Sequence, residues 1–196
     1  SILFVALNSE ERGPLMGAWG YVEAPVVPLA RTVAMLNMDM IGRNEEIPPN
    51  GGARFRGLPV QSADANRNSV NLYGFSRSNT LTAAIERSNA AIKLTLEKRY
   101  DNNISQLLRR TDMWAFQQSG VPAVTFATGL HPDYHRVEDR PDRQLAVAGA
   151  HEGGLDGVGL AGATEAALLT QHDRLGVLGA SRADGLLAHV AAGHEP

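Results

Sequence analysis

The chain has 196 residues, a net charge of -3 and an isoelectric point near 6.1. That is enough for one ordinary α/β domain with a real core, and the charge gives no electrostatic footprint for nucleic acid. It contains no cysteine, so disulfides and thiolate metal sites are excluded, and any metal must use histidine and carboxylates; no apolar run is long enough to span a bilayer.

Residues 3–7 (Leu3, Phe4, Val5, Ala6, Leu7) form a short apolar run that ends in Asn8, Ser9 and two adjacent carboxylates, Glu10 and Glu11, before Gly13. The pattern predicts a buried strand that delivers the pair to the carboxyl end of a sheet, where α/β enzymes keep their chemistry. Neighbours on an extended chain point opposite ways, so one carboxylate could serve a metal and the other a proton. A solvated strand-to-helix turn is the plainer reading of the same pair. The chain opens at Ser1 and enters this run almost at once, so an upstream portion is expected to precede it.

Apolar residues at three- and four-residue steps predict a helix over 15–22, ended by Pro25 and Pro28. A second apolar run, 32–39, reads as a strand that finishes in Asp39, with Gly42 as the turn beyond it. Residues 43–68 are rich in Pro, Gly, Asn and Arg and read as a long loop bordering a cleft. A strand over 70–75 and a helix over 79–92, with Asn79 as its capping residue, come next. A strand over 94–97 follows, then a helix starting at Thr111 and Asp112 and closed by Gly120, and then a strand over 121–127. The loop beyond it holds His131, Asp133, Tyr134, His135, Glu138 and Asp139.

From residue 144 the character changes: there is no aromatic residue, no Ile and no Lys, yet half of the chain's twenty glycines lie here. Repeated glycine weakens a helix by about 1 kcal/mol per residue relative to alanine. Composition therefore sets a Gly/Ala-rich tail, 144–196, apart from residues 1–143. The tail reads as poorly packed, as an ordinary Ala-rich surface helix broken by loops, or as non-native sequence from a frame shift.

Three predicted strand ends thus offer Glu11 with Glu10, Asp39, and His135 with Tyr134. Carboxylate and imidazole are the ligands zinc takes without thiolate, and catalytic zinc leaves a position open for water. Asp39 alone would pass for a turn residue and His135 for a loop histidine; together they point to a metal-assisted hydrolase.

The stretches 4–13, 35–43, 111–127 and 131–141 resemble the co-catalytic zinc aminopeptidase family, which includes bacterial leucyl-type aminopeptidases, glutamate carboxypeptidases and, more distantly, glutaminyl cyclases. The resemblance implies a three-layer zinc-exopeptidase fold, α/β, with a mixed, mostly parallel central sheet flanked by helices and its first strands missing. It implies two zinc ions in the complete enzyme and a peptide substrate with a free amino terminus, its first residue apolar. Glu10 would be the general base, taking a proton from the metal-bound water and handing it to the leaving amine. Glu11 and His135 would be ligands of one zinc and Asp39 of the other, Tyr134 would steady the oxyanion, and Asp139 would orient the loop. Asp112 stands where the family has Ser-Asp-His, here with Thr111 and Met113 as its neighbours.

The family's His-x-Asp element and bridging aspartate have no counterpart in this chain, so three of five metal ligands are present and the chain reads as amino-terminally truncated, with an inactive fragment as the accompanying expectation. His151, His172, His189 and His194 lie in no motif. The alternatives are a glutaminyl cyclase, against which Tyr134 speaks because tryptophan precedes the ligand histidine there, a carboxypeptidase, and a non-catalytic interaction module. Phe75, Phe126 and Leu130 are candidates for a specificity pocket or plain core. The resemblance also implies a periplasmic or secreted protein, while oligomeric state is left open.

Overall fold

Four short strands make the sheet in the computed structural model, which describes residues 1–11 and 15–140. They are β1 (Met35–Met38), β2 (Ser69–Tyr73), β3 (Thr95–Glu97) and β4 (Ala123–Ala127), lying side by side in the order β1-β4-β2-β3. β1 is parallel to β4, with Met35 opposite Ala123, and β2 is parallel to β3. β2 and β4 are antiparallel, with Leu72 opposite Phe126. The sheet is therefore mixed and mostly parallel, as expected.

Side chains alternate along each strand, which sorts the core onto two faces. Val70, Leu72, Val124 and Phe126 meet Leu81 and Ile85 of α2 (Asn79–Ile92) on one face. Tyr73, Ala123 and Ala127 lie on the other, packed with Ala18 and Val22 of α1 (Met16–Glu23) and with Met113 and Phe116 of α3 (Met113–Gln118). The cap of α2 is Ser78, whose hydroxyl accepts from the Leu81 amide at 3.3 Å; Asn79, the expected cap, is instead the first helical residue. At its far end Asn89 exchanges two hydrogen bonds with the Leu94 backbone, at 2.8 and 3.0 Å, and so fixes the turn into β3.

The strand expected over 3–7 is absent. Residues 1–9 carry no regular structure, and Phe4 is 85% exposed. An extended segment needs a neighbour for its amide and carbonyl groups. Among the described residues β1, at the sheet edge, pairs with β4 alone. What anchors the segment is its end: Leu7 packs against the core, and the Asn8 backbone lies on α1 at Gly17, where an added Cβ would sit 2.1 Å from the Asn8 carbonyl oxygen. The long loop after β1 contains short 3-10 turns at Gly52–Phe55 and Asp64–Asn66 and a bridge between Ile47 and Gln61. The proposed tail, 144–196, and its four histidines lie outside the described residues.

Candidate active site

Glu10, Glu11, Asp39, Tyr134, His135 and Asp139 all line one cleft of about 210 Å³. They come from three segments distant in sequence: the end of the amino-terminal run, the turn after β1, and the loop after β4. Glu10 and Glu11 were expected to diverge, as neighbours on a strand do. The backbone instead turns at Ser9, which has φ 55°, so both carboxylates reach the same cleft. Met40, next to Asp39, and His135 have φ values of 53° and 57°. Three non-glycine residues in the left-handed region around one cleft mark backbone strain of the kind that clusters at functional sites.

His135 Nε2 lies 2.5 Å from Glu11 Oε1. The His135 ring stacks on Tyr134 with centroids 3.8 Å apart. Arg110 Nη2 donates to the Tyr134 hydroxyl at 2.7 Å, and Arg54 donates to the Tyr134 carbonyl. On the far wall Arg43 pairs with Asp133 at 2.8 Å and lies 3.5 Å from Asp139, whose other oxygen is 3.6 Å from His131 Nε2. The Thr128 hydroxyl donates to the carbonyls of Met40 and Arg43, so the turn bearing Asp39 and the loop bearing His135 are tied together at their roots.

Beneath this tie sits Glu45, 1% exposed, accepting from Arg99 Nη2 at 2.5 Å and Asn71 Nδ2 at 3.2 Å. Gly129 lies directly on its side chain: φ is 96°, and an added Cβ would come within 2.5 Å of Glu45. The Glu46 amide donates to the Leu130 carbonyl at 2.9 Å, continuing the seam.

Crowded negative charge dominates the cleft's electrostatics. Burial, then the charges of Glu11, Asp39 and Asp112, pushes the Glu10 carboxyl up to about 7, with Arg110 opposing. Burial also raises Asp39, followed by Asp112 and Glu11, and burial alone raises Asp112. Asp112 Oδ1 is buried without a hydrogen-bond partner among the described residues. Tyr134 is raised by burial against the pull of Arg110, and His131 is lowered by burial and Arg43 against Asp139.

Sequence reasoning missed Arg110, Arg43 and His131 as members of the site. Arg110 directly precedes Thr111 and Asp112, and that adjacency was the available signal. Met113, at the family's histidine position, is fully buried core, while Thr111 shares a hydrogen bond with Thr125 at 2.9 Å beneath the sheet. Phe126 and Leu130 are buried and Phe75 packs against the core beside α2, so none of the three lines the cleft.

Imidazole with carboxylates is a zinc donor set, and Glu11 and His135 already sit together as two donors. Among the described residues no three His, Asp or Glu side chains converge to metal-binding distance. The chain therefore fits zinc with a donor pair on one side of the cleft and the Asp39 carboxylate in the same cleft, short of a closed coordination set.

Among solved structures the chain is similar to a zinc aminopeptidase from Bacillus subtilis, with a TM-score of 0.51 and 16% identity over 85% of this chain and 34% of that one. At that identity the likeness carries the fold, and the chain spans about a third of that protein's length. No curated protein matches the sequence significantly. The model for Peptidase family M28 matches residues 1–152, well over half of the sequence, and the chain belongs to that family.

Proposed function

We propose that this chain carries part of a zinc-dependent aminopeptidase centre that hydrolyses the amino-terminal bond of a peptide. The observation supporting this is the convergence of Glu10, Glu11, Asp39, Tyr134 and His135, from three distant segments, on one cleft. Glu11 and His135 would hold one zinc ion and Asp39 the other. When bound, zinc would act as a Lewis acid and make water a competent nucleophile at neutral pH. Glu10 takes a proton from the attacking water and returns it to the leaving amine, the two transfers a carboxylate in the same cleft can perform.

Tyr134 has its oxygen engaged by the Arg110 N–H, which leaves the phenolic proton to be donated to the developing oxyanion. Asp139, held beside Arg43 and His131, keeps the loop in register with the turn after β1. The test is leucine p-nitroanilide turnover by the full chain with added zinc. Glu10→Gln is expected to lower it about 10²- to 10⁴-fold while zinc binding persists. Equal turnover by both proteins would remove Glu10 from the chemistry and with it this mechanism.

A further inference from the structure

A second cleft, about 420 Å³, adjoins the first across the stacked rings of Tyr134 and His135. Its lining has the opposite charge: Arg54, Arg56 and Arg110 stand around Ile104, Tyr134 and His135, and no carboxylate is among the lining residues. The balance of charge on the cleft walls thus changes sign: the first cleft sets Glu10, Glu11, Asp39 and Asp139 against Arg43 and Arg110, while the second shares Arg110 with it and adds Arg54 and Arg56 with no acid to offset them.

This platform is held in place from both ends. Phe55 is buried in the core, which throws its neighbours Arg54 and Arg56 outward on either side of it. Arg54 donates to the Tyr134 carbonyl, and the Ser105 hydroxyl donates to the Arg56 carbonyl. Arg110 donates to the Tyr134 hydroxyl. Each guanidinium has five N–H donors in a fixed fork matched to carboxylate, and the side-chain bonds named use one apiece from Arg54 and Arg110.

Resting on the aminopeptidase reading above, we infer that the second cleft is a carboxylate subsite for the leaving portion of the peptide. A substrate whose amino end lies among the acidic groups extends past Tyr134 and His135 into the arginines. The preferred substrates are therefore peptides that present a carboxylate there, either a free carboxyl terminus or an acidic side chain.

Calorimetry on the metal-free full chain, where no turnover intervenes, separates these sources. Three peptides are compared: Leu-Gly-Gln with a free carboxyl terminus, Leu-Gly-Glu amide with a side-chain carboxylate, and Leu-Gly-Gln amide with neither. At least one carboxylate-bearing peptide is expected to bind about tenfold more tightly than the neutral amide, with the difference shrinking as salt is raised. Arg56→Gln, at an exposed position, should reduce that preference, whereas Arg77→Gln, outside both clefts, should keep it. Equal binding of the three peptides, no measurable binding, or a preference unchanged in Arg56→Gln would overturn the subsite. Leucine p-nitroanilide carries no carboxylate, so its turnover reads the catalytic proposal separately.

Discussion

Arg99→Met removes one partner of the Glu45 pair, and the structure sets the size of the loss. Glu45 is 1% exposed and its partner Arg99 27%, so the carboxylate lies inside the protein and the guanidinium at its rim. Breaking a fully buried pair costs about 3–5 kcal/mol because the remaining charge is uncompensated, and breaking an exposed one about 0.2–1 kcal/mol. For this intermediate case Arg99→Met should cost about 2–3 kcal/mol, because Asn71 still donates to Glu45. In a chain of this size that lowers the melting temperature by about 5–10 °C. The assay is urea and thermal unfolding of Arg99→Met, Glu45→Gln and the double variant. The double variant should cost clearly less than the sum of the singles, with a coupling of about 1 kcal/mol or more. Because Gly129 and Leu130 rest on this seam, zinc affinity should fall along with stability in Arg99→Met. A loss below about 0.5 kcal/mol, or additive singles, would refute the argument, since a pair that breaks so cheaply is a solvated surface contact.

In the metal-free chain the Glu10 carboxyl titrates near 7 rather than 4.5, so between those values the folded state keeps a proton that the unfolded state has released. Stability contributed by this group is present below 4.5 and is lost as pH rises through 7; Asp39 and Asp112, also raised, act in the same direction. His131, lowered by burial, acts in the opposite direction below 6.5, so the clean readout is the difference between variants: the urea midpoint of the parent chain should fall relative to that of Glu10→Gln across that interval, and a difference that stays constant or grows in the parent's favour as pH rises would contradict this. Ser78→Ala should cost about 1 kcal/mol of stability through the lost cap of α2, and Asn79→Ala under about 0.5 kcal/mol. The reverse order, read by the same unfolding curves, would return the cap to Asn79.

The helices and the sheet were legible because their signals are local. Spacing in 79–92 and the apolar runs before Asp39 and Ala127 specify the element without regard to partners. The run over 3–7 carries the same signal but forms no strand, because a strand also requires a neighbour and periodicity says nothing of one. The residue types that gather in the cleft were legible: of the seven residues singled out by motif, Glu10, Glu11, Asp39, Tyr134, His135 and Asp139 line it, and Asp112 does not. The geometry of the cleft was not, since the left-handed turn at Ser9 that brings Glu10 and Glu11 to one side depends on the fold around it. Arginines read on the surface as solvated charge, so Arg110 and Arg43 became visible only once the loop after β4 was seen folded against them.

Zinc titration by calorimetry tests the central claim most directly, comparing the full chain with Glu11→Ala and His135→Ala. If these two side chains hold one ion together, the chain binds zinc and either substitution weakens that binding by more than the roughly 10- to 100-fold typical of losing an outer-sphere partner. Zinc binding that is unchanged in His135→Ala would show that the 2.5 Å contact between Glu11 and His135 is an ordinary loop interaction rather than half of a metal site.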